Sequence, residues 1–595
     1  MKHALRTISI LIVVSLIAVS ILQIAAGQDE GPQNQVLKHA LDVELGRAQP
    51  RPKEQSLSSG VMYALLSSSG ELDKRADAFK APPGQLNPPA SASGGCPNNY
   101  VGGGTNGGRN TRVNQDCSLR RQAEEVIAIN PVNPNNLIAG QNDSRIGFNH
   151  CGYDWSFDGG KTWGDMVPPF YQFQMKDGHT ADACSDPTAT FDSQGNAYVG
   201  GVLFDVAAPA SAFVIAKSNA PIGGAYFHTP AKLSYQEYRN TPLGVIANDN
   251  NPAIFHDKEF IVADANPGSP KANNVYATWT RFSLTNSPIY FSQSTDGGAT
   301  WSAGIEISGA NPAACTIYSG SANPNACDQD QGSDPVVGPD GTLYVSFGNG
   351  NTPASGVNQV MMVSCAGSAD CTNPGNWTVP AKVGDLYGTH PVGPSSVGCP
   401  AGRQCLPPNG YRVPEFTSIS ASVGGNGNLF VVWADSRNLG PNCSGSANTA
   451  TPPCDNDVFY AYSTDHGAGW SSAMRLTPAG SAQWQPWSGV VADGSRLWVA
   501  YYDRSYGNCE FDGCNDVTLA RVDNPASASP AIRFTRMTTS SMPNLTPANN
   551  PLQAGFLGDY MWVAVDPKGK ANVVWSDTRG LGGNVEEDIY FATSP

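Results

Sequence analysis

Acidic side chains recur along this chain, each at the start of a short apolar stretch. The aligned positions carry six carboxylates and one amide: Glu125, Asp186, Asp257, Asp334, Glu415, Gln485 and Asp559. Carboxyl groups can act as general acids, as general bases or as ligands of hard cations. If these stretches are the inner strands of repeated sheets, their side chains ring one mouth of a central channel. Carboxylates that converge in this way need cations, arginine partners or raised pKa values.

Arginines supply one compensation, because they follow the second apolar stretch of five repeats: Arg145, Arg281, Arg437, Arg504 and Arg579. In several repeats an Asp stands two residues earlier, as in Asp435-Ser-Arg437. A pairing that recurs with the repeat usually serves the repeat itself, so a structural role is the favoured interpretation. A bound Ca²⁺ is the alternative. No His pair has a metal-ligand spacing, and we expect no metal site and no required cofactor.

The elements that position these residues form a sevenfold repeat. Each copy is a turn with Gly or Asn followed by an apolar strand, and the copies align at Ala139, Val199, Ala277, Val345, Val431, Val499 and Val573. Their spacing of 60 to 86 residues fits four-stranded antiparallel blades with long loops. The sequence therefore predicts an all-β, seven-bladed β-propeller over residues 113–595. A strand around Val113 to Leu119 is expected to pair with the last strand and close the ring.

Three hairpins share the pattern Ser-x-Asp-x-Gly-x-(Thr/Gly)-Trp. They begin at Ser156, Ser294 and Ser463 and end at a Trp seven residues later. The Asp can accept hydrogen bonds from turn amides, the Gly can take a positive φ, and the Trp can lie across the next layer of sheet. We expect these turns on the face of the propeller opposite the acids.

This pattern resembles the Asp box, the bacterial neuraminidase repeat of the sialidase-like β-propellers. The resemblance implies a structural role for the box itself. Members of that family have six blades, so a six-bladed ring is the alternative to seven. The family binds the substrate carboxylate with three arginines, and its first arginine lies in an Arg-Ile-Pro phrase. The nearest match here, Arg412-Val-Pro414, opens the fifth repeat instead.

The resemblance also implies a tyrosine nucleophile, an assisting glutamate and an aspartic acid that donates a proton. Tyr560 and Asp559 stand together at the start of an inner strand, and Glu125 is their expected neighbour across the ring closure. We take these three as the candidate catalytic residues and the five arginines as candidate substrate ligands. The alternative is that Tyr560 is a packed aromatic and Asp559 one more member of the acid ring.

Composition and charge restrict the partners. Charged residues make up 14% of the chain, with 64 Gly and 46 Pro, which suits short strands and tight turns. The net charge is -15, and it becomes about -17 if residues 1–27 are removed with Lys2 and Arg6. Nucleic acid is therefore not an expected partner.

The first 27 residues have the form of a secretory signal, with a basic start, an apolar run from Ile8 to Ile24 and a small-residue exit. An uncleaved anchor is the alternative, and no later segment is apolar enough to span a membrane. Residues 28–112 carry no sustained strand pattern. They could be a propeptide, a linker or a small helical arm around Val36 to Gly46.

Cysteine usage agrees with export to an oxidising, extracellular or periplasmic compartment. The 14 cysteines predict seven disulfides that staple loops: Cys96–Cys117, Cys151–Cys184, Cys315–Cys327, Cys365–Cys371, Cys399–Cys405, Cys443–Cys454 and Cys509–Cys514.

Two functional hypotheses follow. The first is a secreted protein that binds or hydrolyses a glycan or glycoconjugate at the channel mouth, as an exo-α-sialidase-like glycoside hydrolase would. The second is a non-catalytic propeller that binds carbohydrate or protein, with a structural ring of acids and arginines.

Overall fold

A computed structural model describes sixteen segments of the chain: 31–51, 53–72, 74, 101–102, 110–115, 121–145, 149–170, 172–226, 234–317, 319–353, 356–388, 405–406, 411–439, 453–545, 557–580 and 585–595. The predicted signal segment 1–27 lies outside the described residues.

The described helices are few and short. They are α1 (Gln35–Glu44), α2 (Ser59–Ser68), α3 (Tyr235–Arg239), α4 (Cys509–Asp512) and a 3-10 turn at Pro374–Asn376.

Seven antiparallel sheets follow one another along the chain, preceded by two short strands, β1 (Val101–Gly102) and β2 (Asn110–Arg112). The strands of the first three blades are β3 (Gln122–Ile129), β4 (Leu137–Asp143), β5 (His150–Ser156), β6 (Gly164–Met166), β7 (Ala183–Phe191), β8 (Ala197–Phe204), β9 (Ser211–Ser218), β10 (Leu243–Asp249), β11 (Ile254–Ala263), β12 (Val275–Ser283), β13 (Ile289–Ser294) and β14 (Ile305–Glu306).

The later blades have the same order. Their strands are β15 (Asp330–Val337), β16 (Leu343–Asn349), β17 (Asn358–Cys365), β18 (Ala381–Leu386), β21 (Ser420–Val423), β22 (Leu429–Asp435), β23 (Asp457–Ser463), β24 (Met474–Arg475), β25 (Gln483–Val490), β26 (Arg496–Asp503), β27 (Asp516–Asp523), β28 (Ala531–Arg536), β29 (Trp562–Val565), β30 (Ala571–Arg579) and β31 (Val585–Thr593), and between blades four and five a separate pair is formed by β19 (Cys405–Leu406) and β20 (Tyr411–Arg412).

The sheets form a closed seven-bladed β-propeller. The first strand of each blade contacts the first strand of the next, and β29 returns to β3. The apolar core lies between the blades, where the branched and aromatic side chains of two neighbouring sheets pack together. One such cluster joins each adjacent pair, from blades one and two around to blades seven and one. The predicted fold class is confirmed, with seven blades rather than six.

Ring closure uses a strand from before the first blade. Thr111 and Arg112 of β2 pair with Phe591 and Tyr590 of β31, which supplies the fourth strand that the last blade lacks. The closing strand begins at Asn110, a few residues before the predicted one. Arg112 forms a buried ion pair with Asp588 at 2.6 Å. The last sheet therefore has no unpaired edge at this position.

Disulfides staple loops as predicted. Four predicted pairs are confirmed: Cys151–Cys184, Cys315–Cys327, Cys365–Cys371 and Cys509–Cys514. Cys454 is also disulfide-bonded, while its predicted partner Cys443 lies outside the described residues. The predicted pairs Cys96–Cys117 and Cys399–Cys405 depend on Cys96, Cys117 and Cys399, which lie outside them as well. No described cysteine is free.

The three Ser-x-Asp hairpins join the third and fourth strands of blades one, three and five. In the first, Thr162 donates its amide to Asp158 at 2.9 Å, and Gly160 donates its amide to the Ser156 hydroxyl at 2.9 Å. Trp163 packs edge-on against Phe591 of the last blade at 5.4 Å. Strand direction puts these turns on the face opposite the starts of the inner strands. The hairpins thus fasten one blade to the preceding one.

We expect Asp588→Ala to destabilise the protein by about 3–5 kcal/mol, because it leaves the Arg112 charge buried without this carboxylate. The matched control is Asp385→Ala, which removes an ion pair to Lys382 whose two side chains are 47% and 45% exposed. Loss of such an exposed pair costs about 0–1 kcal/mol. Urea unfolding measures both. Equal losses for the two variants would contradict a special role for ring closure.

Candidate functional site

A β-bulge interrupts the inner strand of most blades. Pairing with the second strand shifts register across residues 123–126, 185–188, 257–260, 331–334 and 484–487. Within each bulge, or at the aligned position of blade seven, one residue has a positive φ: Glu124, Asp186, Lys258, Gly332, Gln485 and Gly558. A left-handed conformation costs a non-glycine residue about 1–2 kcal/mol. The bulge turns a side chain away from the regular strand alternation.

Three of these bulges and two neighbouring segments build a buried cluster at the end of the channel. We call it the channel mouth, and it consists of Glu124, Asp186, Lys258, Arg412, Asp559 and Tyr560.

Lys258 is the centre of this cluster. Its ammonium group forms an ion pair with Asp559 and lies 3.4 Å from Glu124 and 3.5 Å from Asp186. Arg412 contacts the other Asp559 oxygen through Nε at 3.0 Å. The Tyr560 hydroxyl donates to Asp186 at 3.3 Å. One ammonium and one guanidinium thus hold three carboxylates and a phenol together.

Burial separates the pKa values of two adjacent acids. Desolvation raises the pKa of Glu124 to about 7, although Lys258 opposes the shift. Asp559 is equally buried, but Arg412 and Lys258 outweigh its desolvation and lower its pKa. The pKa of Tyr560 is raised by burial and by Asp186. Near neutral pH, Asp559 is therefore ionised while Glu124 can hold a proton.

An N-terminal segment, the described residues between 31 and 74, fills the channel mouth. The amide of Ser58 donates to Asp257 at 2.7 Å, that of Ser59 to Asp559 at 3.0 Å and that of Gly60 to Glu124 at 3.3 Å. These amides belong to the first turn of α2, where a helix has unpaired N–H groups and a positive dipole end. The carboxylates of the channel mouth therefore cap this helix.

Cations of the propeller hold the same segment. Arg412 donates to the carbonyl oxygen of Leu57 and, at 3.3 Å, to the Ser56 hydroxyl. Arg121 donates to the Ser59 hydroxyl at 2.5 Å, and its guanidinium lies 5.4 Å from the ring centre of Tyr63. The channel mouth thus contacts the segment with both acceptors and donors.

The predicted acids have two kinds of surroundings. Asp186 and Asp559 belong to the channel mouth, and Asp257 lies beside it and accepts the Ser58 amide. The other four bind neighbouring segments: Glu125 accepts from the Ser576 hydroxyl, Asp334 accepts from the Ala421 amide at 2.7 Å, Glu415 accepts from Asn358, and Gln485 donates to the Gly558 carbonyl at 2.7 Å. These four contacts join adjacent blades, so the ring divides into a polar cluster and interblade links.

Of the candidate catalytic residues, the structure brings Tyr560 and Asp559 together. Glu125 does come from the adjacent blade across the ring closure, as expected, but its carboxyl group faces Ser576. The neighbouring Glu124 contacts the site instead and accepts the Asp559 amide at 3.1 Å.

Three candidate arginines pair within their own blades: Arg145 with Asp143 and Asp165, Arg437 with Asp435, and Arg579 with Asp577. Arg281 lies over the Tyr290 ring, and Arg504 donates to Asn515 at 3.1 Å. These contacts agree with the structural interpretation. A role of the five in substrate binding stays a prediction.

Sequence reasoning missed Glu124, Lys258, Arg121 and the N-terminal segment. Regular strand alternation places Glu125 and Asp257 in the channel, and the bulge moves that position by one residue. Gly332, Gly558 and the prolines after Asp186 and Gln485 were the available signal, because Gly and Pro in a strand often mark bulges. Arg412 was visible as the Arg-Val-Pro phrase, in an unexpected repeat.

Among the residues that the structure describes, no group of three or more His, Cys, Asp and Glu side chains is arranged to hold a metal ion. The same part of the chain contains no helix that is both long and apolar enough to cross a bilayer.

No protein-family model and no curated protein matches this chain. One similar solved structure is a protein of unknown function from Dyadobacter fermentans DSM 18053, 11% identical, covering 82% of this chain and 98% of that one, with a TM-score of 0.41. The α-L-arabinofuranosidase Arb93A from Fusarium graminearum is 11% identical, with coverages of 68% and 91% and a TM-score of 0.36. The endosialidase of phage phi92 is 10% identical, with coverages of 82% and 69% and a TM-score of 0.39.

We expect Glu125→Gln to stabilise the protein increasingly as pH rises. Burial raises the pKa of Glu125 to about 8. The folded chain then holds a proton that the unfolded chain releases above about pH 4.5, so this stability is present at low pH and is lost as pH rises through about 8. A thermal melt series from pH 5 to pH 9 measures the difference, which can reach about 4 kcal/mol.

The control is Glu237→Gln, whose carboxylate caps an exposed helix and has a lowered pKa. It should show no gain in stability as pH rises. The raised pKa would be contradicted if the difference in stability between wild type and Glu125→Gln were the same at pH 5 and pH 9.

Proposed function

We propose that this chain is a secreted propeller that binds or hydrolyses glycans at the channel mouth. The observation that carries the proposal is the convergence of Tyr560, Asp186, Asp559, Arg412 and Glu124 on one end of the channel. A phenol beside a carboxylate, together with a second carboxyl group of raised pKa, can supply the nucleophile, the base and the proton donor for glycoside cleavage. Channel mouths of propellers are also common places for ligands because loops from every blade meet there.

The proposed roles follow from the different surroundings of the side chains. Tyr560 attacks the anomeric carbon as the nucleophile and loses its proton to Asp186, 3.3 Å away. Glu124 donates a proton to the leaving oxygen, because its pKa of about 7 keeps it partly protonated at neutral pH. Water then hydrolyses the glycosyl–tyrosine bond, with Glu124 acting as the base and the proton returning to Tyr560. Asp559 stays ionised and accepts hydrogen bonds from sugar hydroxyls. Asp559 was the predicted proton donor, and its lowered pKa favours Glu124 for that role instead.

The charge of the channel mouth favours a neutral sugar. The channel mouth and the adjoining Asp257 present four carboxyl groups, and Lys258 and Arg412 are the cations in direct contact with them. Lys258 and Arg412 already pair with Asp559, so the carboxylate of an acidic sugar would have to compete with this residue for the same cations. Hydroxyl groups, in contrast, can donate to these oxygens. We therefore propose a neutral glycan rather than a sialic acid.

Secretion and the remaining partners are part of the proposal. The confirmed disulfides support an oxidising compartment, either extracellular or periplasmic. Nucleic acid is disfavoured by the net charge of -15. No cofactor is required by the proposed steps, and Ca²⁺ stays a candidate ligand to be tested by addition and chelation.

A second candidate function is a non-catalytic binding or scaffold propeller. The observation that favours it is that Arg145, Arg437 and Arg579 are held by acids of their own blades. In this case the channel mouth binds a ligand, or only its own N-terminal segment, without cleaving a bond.

The test is a panel of neutral fluorogenic glycosides with a sialoside beside them. The N-terminal segment fills the channel mouth, so the assay uses the full chain with a protease site inserted between residues 75 and 100. The rates are measured before and after cleavage at this site. We expect turnover of a neutral glycoside after cleavage and complete release of the N-terminal fragment, and we expect Tyr560→Phe and Glu124→Gln to lower the rate by about 10²–10⁴-fold. Glu237→Gln, a change on the exposed helix α3, is the matched control for Glu124→Gln and should keep the wild-type rate.

If no glycoside is cleaved, a glycan array distinguishes the two candidates. Binding without turnover supports the second candidate with a carbohydrate ligand. If the chain freed of its N-terminal fragment neither binds nor cleaves a glycan, the proposed function is overturned.

A further inference from the structure

The N-terminal segment takes no part in building the propeller. Each blade has its four strands without the segment, and the inner strands contact one another around the complete ring. The segment has two helices, α1 and α2, and neither adds a strand to any sheet. Its residues pack on the assembled propeller from one side, with Val61, Leu65 and Leu66 in the core shared by blades two and three. The segment is therefore placed like a bound ligand.

The tip of the segment fits the channel mouth closely. Ser58, Ser59 and Gly60 are buried, and a Cβ added to Gly60 would lie 2.3 Å from the Ser185 hydroxyl oxygen and 2.4 Å from the Asn142 amide nitrogen. Both neighbours belong to the propeller. A larger residue at position 60 cannot keep the present contacts.

The groups that bind the tip are the groups that the proposed mechanism uses. Asp559 and Glu124 accept main-chain N–H groups of Ser59 and Gly60, and Arg412 binds the Leu57 carbonyl. A main-chain N–H offers a carboxylate the same hydrogen bond as a sugar hydroxyl does. The segment and an external ligand therefore compete for the same oxygens, and both cannot occupy the channel mouth together.

Polar contacts, in addition to the apolar ones, fix the position of the first turn of α2 on the propeller. Arg121 donates a hydrogen bond to the Ser59 hydroxyl and lies over the Tyr63 ring. One buried guanidinium therefore contacts both the first residue and the next turn of α2. Asp257 fixes the helix cap through Ser58. The main-chain amides of residues 58–60 and the Ser59 hydroxyl therefore all bond to side chains of the propeller.

We propose that the N-terminal segment is an intramolecular plug that keeps the channel mouth latent until it is displaced. Only the identity of the external ligand as a glycan rests on the proposed function. The plug binds through the first turn of α2, and the bound state is one of two states of the site. Cleavage of the chain between Lys74 and Val101 converts the plug from a tethered into a dissociable ligand, because it removes the high effective concentration of the tether.

The experiment measures release of the plug after such a cleavage. The full chain carries a C-terminal tag for immobilisation and the protease site between residues 75 and 100. After cleavage, the wild-type fragment should stay bound during washing and leave slowly. Gly60→Leu should weaken its binding by about 10–100-fold, the equivalent of a cost of about 1–3 kcal/mol for overpacking.

Ser68→Leu is the matched control. It adds the same side chain to the exposed last residue of α2 and should leave the dissociation rate within about 3-fold of wild type.

A second variant tests the polar contacts with less added bulk. Ser59→Pro removes the N–H donated to Asp559 and the hydroxyl bound by Arg121, while proline is well tolerated at the first position of a helix. It should weaken fragment binding by about 10-fold or more, because hydrogen bonds to charged groups are lost. This variant keeps the inference testable if Gly60→Leu fails to fold.

Three results would overturn the plug. The first is a wild-type fragment that leaves as fast as the Gly60→Leu fragment, and the second is that the Gly60→Leu and Ser59→Pro fragments both bind as tightly as the Ser68→Leu fragment. The third is an intact chain that turns over glycosides at the rate of the cleaved chain from which the fragment has been fully released. Retention of the fragment is measured without any sugar. A chain that retains its fragment but, once freed of it, neither cleaves nor binds a glycan would therefore overturn the proposed function and leave the plug unaffected.

Discussion

Buried carboxylates at the centre of the propeller have to be compensated, and the rest of the site depends on how this is done. Lys258 and Arg412 neutralise part of the charge, and the start of α2 adds N–H donors to Asp559, Glu124 and the adjoining Asp257. This division explains why a helix that joins no sheet is buried so completely. It also explains the opposite pKa shifts of Glu124 and Asp559, since one acid faces mainly desolvation and the other faces two cations.

Closure of the ring sets the geometry in which this compensation operates. Each apolar core lies between two blades, so the position of every inner strand depends on both of its neighbours. The strand Asn110–Arg112 ties the chain's early part to the last blade, and Arg112 and Asp588 fix that connection with a buried ion pair. The N-terminal segment then reaches the channel mouth from the same early part of the chain. Scaffold and site are therefore coupled at blade seven, which carries both Asp588 and, just before its first strand, Asp559.

The fold could be predicted from the sequence because its signals are repeated. Seven apolar phrases and three Ser-x-Asp hairpins report on local strands and turns, and local disulfides report on loops. The site was predictable only in part. Asp559 and Tyr560 follow directly from the start of an inner strand, whereas Glu124 and Lys258 depend on a bulge that shifts the side-chain alternation by one residue. The contact of Ser59 with Asp559 joins residues 500 apart in sequence, and no local pattern carries such information.

The bulge itself has an evolutionary consequence. Six blades each spend one left-handed residue at the same place, and these residues are two acids, a lysine, a glutamine and two glycines. At Gly332 and Gly558 an added Cβ would lie 1.9 Å and 2.6 Å from main-chain atoms of the next blade, so these two positions are fixed by the framework. Glu124, Asp186 and Lys258 instead contribute their side chains to the channel mouth, and through these three positions gene duplication and drift could retune ligand preference one blade at a time.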